Sequence, residues 1–198
     1  VGHTFVGWAL SENGEAVYGD GAEILDLCAT NGGNVTLYAV WQSTVTVITF
    51  LTEKGTEYNS PISVAYGERL SSDGMIAPVR TGYLFAGYRT ERNFSYELIF
   101  DAALNVAYTG IWDKNVSKLT LYSYWIPVSY TVVYVNGQTE AGRQSAVYGQ
   151  AFDLLSASSL GVTAPKGYHF AGWSALPSGQ SAAYADEQTI AEALTKIN

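Results

Sequence analysis

Short stretches rich in β-branched and aromatic residues, separated by polar turns that contain glycine, run through the whole chain. The clearest is residues 44–50, Thr-Val-Thr-Val-Ile-Thr-Phe, a composition that predicts a strand. A turn around Gly55 and a return strand near residues 60–66 are expected to follow. The counterpart further along is residues 130–135, where Asn136-Gly137 is a hairpin turn signal.

Three segments instead carry apolar residues at helical spacing, which predicts a short helix in each. The last of them stands behind Asp186, which we interpret as a helix N-cap. The apolar positions are Ile24, Leu27 and Cys28 in the first segment, Leu98, Ala102 and Val106 in the second, and Ile190, Leu194 and Ile197 in the third.

The chain repeats itself with a period of 80 to 85 residues. The first marker is a glycine–aromatic motif found at residues 2–8, 82–88 and 167–173. The second is Thr-Leu-Tyr-x-x-Trp, ending at Trp41 and at Trp125. The third begins Tyr-Gly, at Tyr66 and again at Tyr148. The positions that define this signature are Gly2, Phe5, Gly7, Trp8, Trp41, Gly82, Phe85, Gly87, Tyr88, Trp125, Gly167, Phe170, Gly172 and Trp173.

These markers divide the chain into three repeats. Residues 1–43 are the C-terminal part of the first repeat, residues 44–127 a complete second repeat, and residues 128–198 a third repeat without its closing strand. The order of elements is strand, strand, motif strand, short helix and final strand. This order predicts a strand-rich α+β module with one short helix laid across a small mixed sheet.

Charge and composition exclude several classes of function. The net charge is −8, and the ten basic residues are scattered, which argues against binding of nucleic acid or of anionic lipid. No apolar run approaches the roughly 20 residues of a membrane span, so membrane insertion is not expected. The lone Cys28 excludes an intrachain disulfide and is expected to be a buried, inert thiol.

No catalytic or cofactor site is apparent in the sequence, and we expect no enzymatic activity, no cofactor and no metal. The two histidines, His3 and His169, occupy non-equivalent positions of the repeat and lack partners at triad or metal-ligand spacing. Asp20, Glu23 and Asp26 lack the EF-hand pattern, and Asp20 fits a helix cap better than a calcium ligand.

The motif Gly-Tyr-x-Phe-x-Gly-Trp, followed by Thr-Leu-Tyr-Ala-x-Trp, resembles the internalin B-repeat, also called the Listeria–Bacteroides repeat. Tyr88 replaces the motif Trp in the second repeat, and His3 replaces the motif Tyr in the first. The resemblance covers nearly the whole chain. It implies tandem β-grasp-like modules in secreted or wall-attached bacterial proteins, where they act as stalks or adhesion modules, without catalytic residues or cofactors.

We therefore expect a non-catalytic stalk or adhesion region, located outside the cell on the surface or wall of a bacterium. One alternative is a module whose exposed aromatic residues bind carbohydrate or a host or bacterial surface protein. For the motif rings we favour burial in a core over a sugar-stacking platform. Another alternative is an accessory region of a large secreted hydrolase.

Trp112 is the one tryptophan outside the repeated markers, in a segment with no counterpart in the first repeat. It is a candidate contact for a partner if exposed, and a local plug if it folds back. The incomplete end repeats have two interpretations: a fragment of a longer array, which we favour, or repeats that complete each other head to tail between molecules.

Overall fold

The described residues are all-β. The structure is a computed structural model that describes residues 1–52, 59–91, 97–175 and 183–191. The first seven strands are β1 (His3–Ala9), β2 (Tyr38–Ser43), β3 (Val45–Leu51), β4 (Ile62–Ala65), β5 (Tyr83–Arg89), β6 (Leu98–Phe100) and β7 (Lys118–Pro127). The remaining four are β8 (Ser129–Asn136), β9 (Thr139–Val147), β10 (Phe152–Asp153) and β11 (Thr189–Ile190).

The second repeat forms a five-stranded mixed sheet in the order β4-β3-β7-β5-β6. Its opening strand β3 pairs antiparallel with β4 and parallel with the closing strand β7. The strand predicted from residues 44–50 is β3, and its side chains alternate: Thr46, Ile48 and Phe50 are buried, whereas Val45 and Val47 face outward. The expected return strand is β4, and the expected turn at Gly55 lies outside the described residues.

The predicted α+β class with one short helix in each module is wrong, since the described ranges contain strands and turns but no helix. Leu98 belongs to β6, and Val106 forms a bridge with Phe100, so the second segment is a reversal of the chain. The Asp101 carboxylate makes this reversal by accepting the N–H groups of Ala103 (2.8 Å) and Asn105 (2.9 Å).

The first predicted helical segment is irregular, and most of the third lies outside the described residues. Leu27 and Cys28 lie in an irregular, exposed stretch, so the thiol is exposed and not buried as expected. Ile190 lies in β11, while Leu194 and Ile197 lie outside the described residues. The Asp186 carboxylate does not cap a helix there; it accepts the backbone N–H of Ala157 at 2.9 Å.

The first and third repeats form smaller sheets. Strands β1 and β2 pair antiparallel, with a bulge between Phe5 and Gly7. Strands β8 and β9 form the hairpin predicted at Asn136-Gly137, where Gly137 has a φ of 66°. Strands β10 and β11 form a third antiparallel pair.

The chain packs as two compact bodies, one of residues 1–78 and 86–124 and the other of residues 79–85 and 125–198. The core of the first body is centred on Phe50, whose ring lies 4.8 Å from that of Tyr88 and 6.1 Å from that of Phe100. In the second body, Tyr134 lies 4.9 Å from Trp173 and packs with the buried Leu154 and Ile190. In the second and third repeats, an aromatic ring of the opening strand therefore packs against the motif aromatic.

Candidate functional site: the glycine–aromatic motif

The motif aromatics occupy equivalent backbone positions in the three repeats. Trp8 exchanges backbone hydrogen bonds with Tyr18, and Trp173 does the same with Tyr184. The distance from the tryptophan backbone nitrogen to the tyrosine carbonyl oxygen is 2.8 Å in both pairs. Tyr88 pairs with Phe100 in the same way. The second motif glycine permits this approach, because a Cβ at Gly7 or Gly87 would lie 2.3 Å from the facing backbone oxygen.

Burial of these rings differs from the expectation that all of them lie in the core. Tyr88 is fully buried, but Trp8, Trp173 and Trp125 are only half-buried, and Trp41 is 58% exposed. The expectation is therefore wrong for Trp41 and only partly met for the other three. In each repeat the motif Phe still meets a tryptophan edge to face, in the pairs Phe5–Trp41, Phe85–Trp125 and Phe170–Trp173.

The replacement of Trp by Tyr in the second repeat has a structural reason. The Tyr88 hydroxyl accepts a hydrogen bond from Asn59 Nδ2 at 3.0 Å. Asn59 in turn accepts the backbone N–H of Ile76 and donates to its carbonyl. Burial raises the pKa of Tyr88, and the bond from Asn59 opposes that rise. The Tyr88 hydroxyl therefore connects the core, through Asn59, to the loop at Ile76, and an indole has no hydroxyl to make this bond.

A tyrosine ring of the following repeat packs against the first motif glycine. Gly2 lies under Tyr66, where an added Cβ would be 2.3 Å from ring carbons. Gly82 lies under Tyr148 at the same distance. Both glycines have positive φ, 79° and 78°, which L side chains rarely adopt. We call each pair a ring-on-glycine junction.

Each junction is reinforced by matching contacts. The carbonyl of Gly2 accepts the N–H of Thr44 at 2.8 Å, and that of Gly82 accepts the N–H of Val128 at 2.9 Å. The next motif residue adds a ring: His3 lies 5.5 Å from Tyr66 and Tyr83 lies 5.6 Å from Tyr148, both edge to face. The sequence marked Tyr66 and Tyr148 only as repeat markers; their structural role was missed.

Of the two interpretations of Trp112, the structure shows the one in which the residue folds back as a local plug. It is fully buried and is the largest side chain with that degree of burial. Its Nε1–H donates to Thr46 Oγ1 at 2.8 Å, and Thr46 Oγ1 donates to the carbonyl of Val116 at 2.6 Å. The segment around Trp112 therefore acts as the local plug.

A small charged cluster covers the Trp112 plug. Tyr108 lies 5.1 Å from the Trp112 ring, and its hydroxyl donates to the Asp113 carboxylate. Lys114 Nζ forms an ion pair with Glu97 at 2.6 Å and lies 5.1 Å from the Tyr108 ring centroid. Burial, followed by the hydrogen bond to Asp113, raises the pKa of Tyr108 to about 12.

This shift makes a prediction for alkaline pH. Because folding raises the pKa of Tyr108 above its ordinary value of 10.0, its stabilising effect is complete below pH 10 and is lost as the pH rises through about 12. We expect Tyr108→Phe to lose less unfolding free energy than the parent chain over that interval. Urea unfolding at stepped pH measures it, and parallel curves for the two proteins would refute it.

The residues considered for metal binding and nucleophilic chemistry do not assemble into a site. Asp20, Glu23 and Asp26 are exposed, and no group of three or more His, Cys, Asp or Glu side chains in the described ranges is arranged to hold a metal ion. The exposed Cys28 thiol donates a weak hydrogen bond to the carbonyl of Thr30 at 3.7 Å.

The fold and its junctions define a class: a tandem array of small β modules joined through one recurring contact. The family model of the Listeria–Bacteroides repeat domain matches three successive segments, residues 1–40, 47–123 and 130–195. The chain therefore belongs to the Listeria–Bacteroides repeat family, whose domains occur in bacterial surface proteins, and the sequence-based resemblance is confirmed.

Two proteins of Evansella cellulosilytica are similar to the chain. One, named "Putative Gly-rich membrane protein", is 29% identical over 180 residues, which cover 87% of this chain and 18% of that protein. The other, named "Putative membrane protein", is 26% identical over 180 residues, covering 87% of this chain and 22% of that protein. The chain thus spans about a fifth of their length.

No solved structure matches the chain. In the parts of the chain that the structure describes, no helix has the length and hydropathy needed to cross a membrane.

Proposed function

We propose that the chain is a non-catalytic spacer in a bacterial cell-surface or secreted protein, located outside the cell and contributing adhesive contacts. Its repeats would set a fixed separation between other parts of that protein. Family membership supports the surface context, and the names of the two relatives agree with it. The observation that carries the proposal is the ring-on-glycine junction, formed twice with the same geometry.

A spacer needs its modules to keep a constant orientation, and the junction provides a physical basis for one. At the first junction, the Tyr66 ring leaves no room for a side chain at Gly2, while a backbone hydrogen bond joins Gly2 to Thr44. A flat ring against a Cα, with a hydrogen bond beside it, restricts both sliding and rotation. Repetition of the contact supplies the same local restraint at each place where one repeat meets the next.

The spacer proposal predicts a narrow distance distribution across the first junction. In a Cys28→Ser background, spin labels are placed at Thr4→Cys on β1 and Ser63→Cys on β4, both of which are exposed positions. Pulsed electron paramagnetic resonance should give a single narrow distribution. Tyr66→Ala should broaden it, because the ring that fills the space over Gly2 is lost.

Tyr168→Ala is the matched control, since Tyr168 is 77% exposed and should leave the distribution unchanged. A broad distribution in the parent protein, or no response to Tyr66→Ala, would contradict the spacer proposal. Turnover in a broad hydrolase screen that one point substitution abolishes would contradict its non-catalytic part.

A second candidate function is binding of a surface protein or glycan by the first repeat. Its rings Phe5, Trp8 and Trp41 form a connected cluster with ring centroids 5.2 Å apart, and Trp41 is 58% exposed. The outer edge of β2 has no strand partner in the described residues, and no charged residue occurs between Asp26 and Glu53.

Uncharged open edges are the sites at which another polypeptide strand can add, including one from a second copy of this chain. An exposed indole is equally suited to stacking against a sugar ring. Two assays test this function: binding on a glycan array, and self-association. Loss of either on Trp41→Ala, with no loss when the half-buried Trp125 is replaced, would favour this function over the spacer alone.

A further inference from the structure

The first and last strands of the second repeat lie side by side. Strand β3 opens the repeat, β7 closes it, and the two pair in parallel from Val47↔Lys118 to Leu51↔Tyr122. Tension that enters at the start of β3 and leaves at the end of β7 acts along the strands in opposite directions. All the hydrogen bonds between the strands are then loaded together, and none can break without the others sharing the load.

The neighbouring pair β3–β4 has the opposite arrangement. It is antiparallel, so the start of β3 at Val45 faces the end of β4 at Ala65. Tension applied to those two adjacent ends would open the pair one hydrogen bond at a time. The same sheet therefore contains a shear geometry and a peeling geometry, both of which use β3.

Further bonds lengthen the β3–β7 ladder at the end where β3 begins. They connect the start of the repeat to residues some 70 positions later. These bonds run from Thr44 Oγ1 to Asn115 Oδ1 (2.9 Å), from Thr46 Oγ1 to the carbonyl of Val116 (2.6 Å) and from Val47 N to the carbonyl of Ser117 (3.0 Å).

One face of the β3–β7 ladder is closed to water. Thr46 and the neighbouring Ile48 are fully buried, and Leu121 is fully buried on the facing strand. Trp112 covers Thr46 and donates to its hydroxyl. A hydrogen bond under load breaks more easily when water can replace the lost partner, so burial of the ladder under Trp112 raises its resistance to tension.

From these observations we propose that the second repeat is a load-bearing clamp: the parallel β3–β7 ladder, extended by Thr44 and Thr46 and covered by Trp112, carries tension applied along the chain. The proposal adds a mechanical role to the spacer function and rests on it only for its biological setting. A spacer that is rigid but mechanically weak would satisfy the spacer proposal and fail this one.

Force spectroscopy on the full chain tests the clamp through the choice of attachment points. In a Cys28→Ser background, handles at Gln42→Cys and Ser129→Cys load β3 against β7 in shear. Handles at Gln42→Cys and Glu68→Cys load β3 against β4 in peeling. All three attachment residues are exposed. We expect a rupture force at least about twofold higher in shear, because forced unfolding follows the barrier to breaking the loaded contacts.

Thr46→Val keeps the branched shape of the side chain and removes its two hydrogen bonds. It should lower the shear force while changing the peeling force little, an asymmetry that a uniform loss of stability would not produce. Equal rupture forces in the two geometries, or an equal fractional loss in both on Thr46→Val, would overturn the proposal.

Discussion

Replacing Trp112 by Ala should lower the free energy of unfolding by about 3–5 kcal/mol, the range for truncation of a large core aromatic. Trp112 is fully buried, so the truncation leaves a cavity that the surrounding strands cannot readily fill. It also removes the donor to Thr46 Oγ1, which lies in the same dry region. Urea unfolding, monitored by circular dichroism, measures the loss.

Two further variants separate the contributions to this effect. Trp41→Ala is the matched control: its ring is 58% exposed and, like other surface substitutions, should change stability by no more than about 1 kcal/mol. Trp112→Phe retains most of the ring and loses the hydrogen bond, and we expect about 1–2 kcal/mol from that bond. Equal losses for Trp112→Ala and Trp41→Ala would mean that Trp112 is not the buried plug.

Replacing Gly82 by Ala should have the second largest effect. Gly82 has a φ of 78°, and left-handed backbone at a residue with a Cβ costs about 1–2 kcal/mol. The new methyl group would also lie 2.3 Å from the Tyr148 ring, so the ring must move away. Overpacking of this kind adds about 1–3 kcal/mol.

Gly167 provides the control, because its backbone is nearly the same and its surroundings are different. Its φ is 88°, and no described atom lies within 4 Å of the position a Cβ would take. Gly167→Ala should therefore lower the free energy of unfolding only by the backbone strain, about 1–2 kcal/mol. If Gly82→Ala and Gly167→Ala destabilise the chain equally, the Tyr148 ring does not pack on Gly82.

The repeats and the strongest strands could be predicted from the sequence, since both depend on local pattern. Residues 44–49 are all β-branched, and Asn136-Gly137 specifies a tight turn whatever surrounds it. The family follows from the same local markers. The tyrosines of the junctions were visible as repeated letters, but nothing local indicates that each lies on a glycine more than 60 residues before it.

The helices were predicted wrongly because apolar spacing alone does not distinguish a helix from a chain reversal. Leu98, Ala102 and Val106 have helical spacing, but the Asp101 side chain binds the backbone N–H groups that follow and turns the chain back. Leu104 adopts a φ of 63° within that turn, which a helix does not allow. The available signal for a turn was Asp101 itself, because an Asp side chain can accept the N–H groups of residues that follow it, here Ala103 and Asn105.

The sequence left the position of Trp112 open between an exposed contact and a local plug. A tryptophan in a non-repeated segment next to Gly110 and Asp113 has the local features of an exposed loop. Its hydrogen-bond partner Thr46 is 66 residues away, so only the tertiary fold brings the two together. The residues that recur in each repeat were the expected core. Trp112 does not recur, yet it is the largest fully buried side chain of the described residues.

The claim that consecutive repeats are joined by a ring on a glycine is tested most directly by a double-mutant cycle at Gly82 and Tyr148. Unfolding free energies are measured for the parent chain, Gly82→Ala, Tyr148→Ala and the double variant. Once the ring is gone, the added methyl group meets no obstacle, so we expect the two effects to be non-additive by about 1–3 kcal/mol. Additive effects would contradict the account.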